Sequence, residues 1–355
     1  MSGRERTSAR AAALVVIVTL VSSVVLEALQ VPSAVLFGAV LGGMAHGLTS
    51  PSPLAVPPWA FRIAQGLIGI TVGALVDLST LRRMASDSAS ILTVMLATLG
   101  VSVLAGRVLA LRRDVTPTTG VFAMIAGGAS GVVAVARDLG ADDRVVTVVQ
   151  YLRVLLVLVT LPVVTALVFH PAHGRGSLTA PDTSPLTDLL FVAISLALGL
   201  LIARVMPATT MTLIGPMVVA AVLAAGGWLG EVTEPTWVQW IAFALIGVQV
   251  GLRFTRASLA AIGRMLPVVL LIMAAMIGTT AGLGALLAWL TPVDGLTAYL
   301  ATTPGGLFAV LATAADAGSD VTYVLAFQLL RLLLILALLP ILARWLRRFS
   351  AHEVS

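Results

Sequence analysis

Arg153 and Arg331 are the two residues in this sequence best placed to do chemistry. Each stands inside a long Leu- and Val-rich run, 11 positions after an aspartate, Asp142 or Asp320. If those aspartates cap two helix starts, the arginines lie about 16 Å along their helices at 1.5 Å per residue. That depth is near the middle of a bilayer whose hydrocarbon core is about 30 Å thick. A guanidinium there can snorkel only part of the way to water. A cation at the midplane is costly, and it usually faces an aqueous cavity or a polar partner. Two chemistries suit it. One is coordination of a carboxylate or another small anion; the other is hydrogen bonding to backbone carbonyls freed by a broken helix. Gln150 and Gln328 precede the arginines by three positions, nearly on the same helical face, and could add polar contacts.

The elements that must position these side chains are unusual. Residues 126–131 read Ala-Gly-Gly-Ala-Ser-Gly, and residues 302–306 read Thr-Thr-Pro-Gly-Gly, both inside apolar runs. Proline removes a donor and glycine loosens a helix, so both stretches are expected to break their helices at membrane depth. Irregular backbone is tolerated there only where it is buried in protein or lines a cavity. The N-termini of half-helices carry positive dipole ends and free amides, which suit anions. The candidate substrate-binding set is therefore Gly127, Gly128, Ser130, Gln150 and Arg153 in the first half, with Thr303, Pro304, Gly305, Gly306, Gln328 and Arg331 in the second. The pairs Gly69/Gly73 and Gly247/Gly251 read more simply as close-packing positions.

Other chemistry is poorly supplied. Asp138, Asp142, Asp316 and Asp320 follow the broken stretches and read as caps or loop residues. No carboxylate sits clearly at mid-membrane, so a proton or sodium relay has no obvious carrier. The four histidines are scattered, and His170-x-x-His173 lies in a Pro- and Gly-rich stretch with no third ligand nearby, so no metal site is expected. Cysteine is absent, which removes disulfides, thiolate ligands and a Cys nucleophile. No phosphate loop, nucleophile elbow or His-Glu-x-x-His motif occurs. An enzyme is not expected, and neither is a cofactor.

Composition says where these residues live. Of 355 residues, 59% are hydrophobic and only 10% are charged, against about 25% charged in soluble domains. Mean hydropathy is +1.07. A soluble enzyme, a disordered chain and a disulfide scaffold are excluded. The net charge of +5 comes from 21 basic residues, all arginine; in a membrane protein this reports orientation, not nucleic-acid binding. Apolar runs fall near 11–29, 33–48, 59–76, 89–111, 117–136 and 144–169, and again near 188–206, 211–230, 236–252, 265–290, 295–315 and 321–343. An N-terminal leader is disfavoured for the first run, because it has a partner in the second half.

The halves are a duplication. At a shift of 178, 12 of the 25 positions from Asp138 to Pro162 are identical to their counterparts, where roughly one in ten would match by chance. Gly127-Gly128 aligns with Gly305-Gly306, and Gly69-x-x-x-Gly73 with Gly247-x-x-x-Gly251. Duplicated halves are the usual build of secondary transporters. If 117–136 and 295–315 re-enter instead of crossing, each half has five spans and the halves are inverted. Sixteen arginines then face the cytoplasm and only Arg82, Arg83 and Arg175 face outward, which fits the positive-inside bias far better than twelve crossings do.

The second-half pattern Leu213-Ile214-Gly215-Pro216-Met217, Gly247-x-x-x-Gly251, Thr303-Pro304-Gly305-Gly306 and Gln328-x-x-Arg331, in a Leu-rich helix ending at Pro340, resembles the AbrB family of bacterial integral membrane proteins. Members have been labelled ammonia monooxygenases or membrane regulators. The first half departs from the pattern, with Ala39 in place of the Pro after Gly38 and Ala126 in place of the Pro before Gly127. A copper oxygenase would need a histidine cluster that this chain lacks. The family name is shared with a small soluble DNA-binding regulator, to which this chain bears no likeness.

The expectation is an all-α membrane protein of two inverted repeats, each of about five transmembrane helices with one re-entrant or broken helix. It divides into a cytoplasmic tail at 1–10, repeat 1 at 11–170, a linker at 171–187, repeat 2 at 188–345 and a C-terminal tail at 346–355. The expected function is secondary transport of a small, anionic solute across the bacterial cytoplasmic (inner) membrane, in contact with the lipid bilayer and with no nucleic acid. A homodimer is one assembly open to it. The alternative is a membrane-embedded regulator of gene expression acting through a partner.

Overall fold

The computed structural model describes residues 3–29, 31, 33–50, 54–112, 114–125, 136, 139–169, 184–205, 211–227, 229, 232, 234–256, 260 and 263–352. Among them the regular structure is helical, with no strand. In chain order the first half contains α1 (Gly3–Ala28), α2 (Ala34–Thr49), α3 (Pro58–Ala74), α4 (Leu78–Ser86), α5 (Ser88–Leu109), α6 (Pro117–Met124) and α7 (Asp143–Val164). The second contains α8 (Pro185–Val205), α9 (Met211–Gly226), α10 (Thr236–Gly251), α11 (Leu266–Leu290), α12 (Gly295–Thr302), α13 (Leu307–Asp316) and α14 (Val321–His352). The starts of α3, α5, α6 and α7 each recur 178 positions later, at α10, α11, α12 and α14.

Among the described residues five helices are long and apolar enough to cross a membrane: 11–28 of α1, α5, residues 144–169, α8 and α11. A sixth arises if Pro58–Ala74 and Ser79–Ser86, on either side of a short break, are counted as one span. Five spans in each repeat would need the shorter apolar helices as well. α2, α9 and α10 have 16 residues each, about 24 Å at 1.5 Å per residue, which is less than the hydrocarbon thickness. Apolar side chains on α1 (Val16, Ile17, Leu20, Val21 and Val24) lie more than half exposed, an arrangement suited to lipid and unsuited to water.

The terminal tails are not set off by a helix end at residue 10 or 346: α1 begins at Gly3 and α14 runs to His352, so residues 3–10 and 346–352 are helical. Nor does proline end the long helices. Pro162 lies inside α7 and is followed by a π-helical turn at Thr165–Phe169, and Pro340 lies inside α14. A wider turn is one way a helix absorbs a missing donor.

The chain forms two compact units, and both halves contribute to each. The first unit comprises Met1–Leu78, Pro162–Arg256 and Leu311–Thr322. Within it α1 packs on α2, α2 on α10, α3 on α9, and α8 on α9. Glycines set these crossings. A methyl group on Gly69 would lie 2.3 Å from the Leu213 carbonyl oxygen, and one on Gly73 2.3 Å from that of Met217. The repeat-related pair behaves alike: Gly247 meets the Leu36 oxygen at 2.4 Å and Gly251 the Val40 oxygen at 2.2 Å. These four glycines are close-packing positions.

The second unit comprises Ser79–Leu161, Ala257–Val310 and Tyr323–Ser355. Two apolar clusters fill it. One gathers Ala105 and Leu109 of α5, Val121–Ile125, Val146 and Val149 of α7, and Val269, Ile272 and Met273 of α11. The other gathers Ile91, Val94 and Met95 of α5, Leu287 of α11, Ala298 and Ala301 of α12, and Tyr323 and Phe327 of α14. The N-terminal part of α5 thus shares a cluster with the C-terminal part of α11, and vice versa. These two repeat-related helices pack together and run antiparallel. The clusters exchange equivalent residues, Ile91/Val94/Met95 for Val269/Ile272/Met273.

Candidate functional site

α6 and α12 are eight-residue half-helices, buried from Thr118 to Ile125 and from Leu296 to Thr303. Each starts on a side-chain cap. Thr116 accepts from the Thr119 amide at 3.2 Å, and Asp294 accepts from the Thr297 amide at 2.9 Å. Each ends at the equivalent position, where Ile125 (φ −65°, ψ 125°) and Thr303 (φ −57°, ψ 128°) turn extended. Thr303 precedes Pro304, which disfavours the helical region for it; Ile125 precedes Ala126 and ends its helix without that constraint. Gly305 (φ 110°) and Gly306 (φ 77°) then take backbone conformations that glycine adopts at little cost.

A helix that stops inside protein leaves its last carbonyls without amide partners. Here the buried Gln–Arg pairs supply them. Gln150 Nε2 donates to the Phe122 oxygen at 3.0 Å, while Arg153 Nη1 donates to Ile125 at 2.9 Å and Met124 at 3.3 Å. In the second repeat Gln328 Nε2 donates to Leu300 and Thr303, both at 3.1 Å, and Arg331 Nη1 donates to Thr303 at 2.9 Å. Phe122/Leu300 and Ile125/Thr303 are 178 positions apart, so the duplication preserves two bonds of the clamp, while the third runs from Arg153 to Met124 in the first repeat and from Gln328 to Thr303 in the second. Of the two chemistries open to the arginines, carbonyl bonding accounts for Nη1 of each.

The remaining atoms are used differently. Arg331 Nη2 donates to Gln328 Oε1, closing that pair on itself. Arg153 Nε and Gln150 Oε1 are buried and have no hydrogen-bond partner among the described residues. Arg153 also leans on the other repeat's break: a methyl group on Gly305 would lie 3.1 Å from Nε and 3.4 Å from Nη2. Both guanidinium groups are at most 6% exposed. Among the described residues neither has a carboxylate partner, and the Arg153 charge opposes that of Arg331. The second unit therefore buries two like charges with no compensating anion among the described residues.

Of the sequence-selected site residues, Gln150, Arg153, Thr303, Pro304, Gly305, Gly306, Gln328 and Arg331 all fall in the second unit around the two half-helix ends. Gly127, Gly128 and Ser130 lie outside the described residues, as do Asp138, His170 and His173. Asp142 caps α7, accepting from the Arg144 and Val145 amides at 3.0 and 3.2 Å. Asp316 serves another helix: its Oδ2 accepts from the amide of Ser33, ahead of α2.

Two features escaped the sequence reading. Gly140 (φ 74°) and Gly318 (φ 68°) end the segments after the two breaks. The Ala141 amide reaches back to Ala136 at 2.9 Å and that of Ser319 to Ala314 at 3.0 Å, the long backbone bond of a left-handed helix cap. Their recurrence in the repeat was the available signal. The other is Glu234, ahead of α10. Thr71 donates to the Leu67 oxygen at 3.1 Å and is also bonded to Glu234 Oε2. One hydroxyl hydrogen cannot serve both acceptors; a protonated Glu234 that donates to Thr71 satisfies all three groups. Burial pushes the Glu234 carboxyl up to about 8 against the partial opposition of the Thr71 bond, and its Oε1 is buried without a partner. Nothing in the local sequence announces this pair, because Thr71 and Glu234 meet only through the fold.

Comparison with known proteins agrees with the motif reading. Residues 35–347 match the profile of a family described as transition state regulatory protein AbrB. A protein of Escherichia coli strain K12, named as a candidate regulator AbrB, is 32% identical over 339 residues, covering 94% of this chain and 96% of the relative. An uncharacterised protein of Bacillus subtilis strain 168, YhjN, is 24% identical over 307 residues, covering 82% and 79%. Several apolar helices and a family match across most of its length place this chain among membrane proteins, and it belongs to the AbrB family.

Proposed function

We propose that this protein is a multi-pass secondary transporter of a small anionic solute, and that the solute is held in the second unit beside the half-helix ends. One observation carries the reading: two buried arginines, without a carboxylate partner among the described residues, stand at two repeat-related helix breaks. Polar backbone at such breaks is tolerated where it lines a cavity, and broken helices in duplicated folds commonly mark a substrate site. The binding set is that of the sequence reading, Gly127, Gly128 and Ser130 included. No catalytic step and no cofactor enter this function. The test is flux in liposomes after a thermal-shift screen has named a ligand. Arg153→Ala and Arg331→Ala proteins that fold normally yet carry that ligand at wild-type rates would sink the site.

The repeats are proposed to be inverted, in the cytoplasmic membrane of a bacterium. The antiparallel course of α5 and α11 supports inversion, and so does the sixteen-to-three division of arginines. Because the chain lacks cysteine, a single cysteine introduced at Ala172 reports sidedness directly. Labelling from outside is expected, and labelling from the cytoplasm overturns the topology.

A second reading has a specific source, the description of the family and the name of the Escherichia coli relative. It makes the protein a membrane-embedded regulator. Recovery of a stoichiometric soluble partner, with no flux of any solute in liposomes, would favour it.

A further inference from the structure

The two clamps are alike in register but unlike in saturation. In α14 the amide oxygen of Gln328 takes the second Nη of Arg331, so donor and acceptor satisfy each other. In α7 the corresponding partners do not bond each other, and Gln150 Oε1 and Arg153 Nε are both buried and unpartnered among the described residues. A buried polar atom left unmade costs about 1–3 kcal/mol. Two such atoms of opposite kind, three positions apart on one helix, mark a place where something else completes the set.

The surroundings say what that is. The Nε edge of Arg153 lies against Gly305, where an added methyl group would stand 3.1 Å from it and force it to give way. Gly305 and Gly306 lead directly into α13, whose first amide, that of Leu307, has no acceptor within the helix. A guanidinium edge and a helix N-terminus converge there, and Arg331 adds further positive charge. The group that fits is an anion. A planar carboxylate can accept from Arg153 Nε and from a backbone amide together. Gln150 Oε1 needs a donor. An ammonium would bring a third positive charge to the two arginines, so a neutral hydroxyl is the donor that fits.

We propose that the first-repeat pair Gln150–Arg153, with Gly305, Gly306 and the start of α13, forms a binding site for a 2-hydroxycarboxylate, the carboxylate on Arg153 and the hydroxyl on Gln150, while Gln328–Arg331 serves as its closed structural counterpart. This deepens the transport reading and rests on it for the site's place in the transport cycle. Binding is nevertheless measured separately from flux.

The experiment uses the full chain in nanodiscs and equilibrium titration with matched acids, lactate against propionate and malate against succinate, with inorganic phosphate alongside. The hydroxy acid of at least one pair is expected to bind about tenfold or more tightly than its deoxy partner, the effect of one hydrogen bond to a buried acceptor. Gln150→Leu should bring that ratio close to one while retaining carboxylate binding, and Arg153→Gln should abolish binding of both acids. Gln328→Leu should lower the melting temperature yet keep the hydroxyl preference, which separates loss of the site from loss of the fold. Equal binding of the matched acids by wild-type protein, binding of phosphate in preference to every acid, retention of the preference by Gln150→Leu, or failure of all the acids to bind would each overturn the proposal. Hydroxy-acid binding without liposome flux would leave the site standing and remove the transport reading. Flux of a solute that does not compete with the hydroxy acid would remove the site from the transport path.

Discussion

The unequal saturation of the two clamps makes a stability prediction. Gln328→Leu removes the side-chain donor to the Leu300 oxygen, one of the two to Thr303, and the acceptor for Arg331 Nη2. Thr303 keeps its bond from Arg331, so the losses are one orphaned buried carbonyl and one charge-assisted bond. At about 1–3 kcal/mol for the first and about 1.5–3 kcal/mol for the second, the cost is about 2.5–6 kcal/mol, centred near 4. Gln150→Leu orphans the Phe122 oxygen but also removes the unpartnered Oε1, so the loss and the relief largely offset. A net cost of about 0–2 kcal/mol follows.

The two substitutions are chemically identical and occupy equivalent positions, so helix propensity and lipid contact largely cancel in the comparison. The central costs differ by about 3 kcal/mol, so at about 2 °C per kcal/mol for a large domain Gln328→Leu should melt about 6 °C below Gln150→Leu, read by fluorescence-detected size exclusion after heating without ligand. Double-mutant cycles sharpen the test. Gln328 and Arg331 should couple by at least about 1 kcal/mol, and Gln150 and Arg153 by close to zero. Equal melting temperatures, or equal coupling in the two repeats, would refute the claim that only the second pair is closed.

Three further outcomes follow from other parts of the molecule. Because burial raises the Glu234 carboxyl from 4.5 to about 8, its neutral form contributes stability that is complete below pH 4.5 and is lost as pH rises through 8; wild type should therefore melt progressively below Glu234→Gln between pH 5 and 9, and parallel curves would exclude the effect. Gly69→Ala and Gly247→Ala force a methyl group onto a helix backbone within 2.4 Å and should each cost about 1–3 kcal/mol, whereas Gly100→Ala and Gly278→Ala, with nothing within 4 Å, should be neutral or stabilising by up to about 1 kcal/mol. Gly305→Ala, strained at φ 110° and set against Arg153, should cost about 1–2 kcal/mol and weaken flux of an identified solute more than Gly318→Ala does.

Much of this arrangement is legible in the sequence because duplication writes it twice. Composition placed the chain in a membrane, and the shift of 178 fixed which helices correspond. Distance along a capped helix picked out Arg153 and Arg331. The location of the break was only partly legible. Glycine and proline mark the second break, but each half-helix already turns extended at Ile125 or Thr303, where Gln and Arg side chains take the carbonyls. A helix end is set by who receives its carbonyls as much as by which residue disfavours the next turn, and that information sits 25–30 positions away. Pro340 misled in the opposite sense, since α14 continues past it to His352. Glu234 was illegible for a different reason. Its partner Thr71 lies 163 positions away on another helix, and no spacing rule connects them.

Duplication also explains why one ligand site is expected in place of two. Two fused copies begin with equal clamps, each with four side-chain valences to satisfy: the Gln donor and acceptor, and the two unshared edges of the Arg. A ligand bound at the pseudo-twofold position could address both copies only if it shared their symmetry, and few small metabolites do. Saturating one pair internally, as Gln328 and Arg331 do, removes its unmet hydrogen-bonding demand and leaves a rigid support for the backbone of its half-helix. The other pair keeps its demand and meets it with ligand. The departure of the first half from the Pro-Gly-Gly pattern, Ala126 in place of Pro304, fits this division of roles. The repeat whose break is fixed by proline carries the closed clamp, and its Gly305 lies against the open arginine of the other repeat. If this is right, converting Arg331 to Gln should weaken the half-helix before it weakens ligand affinity, and converting Arg153 to Gln should do the reverse.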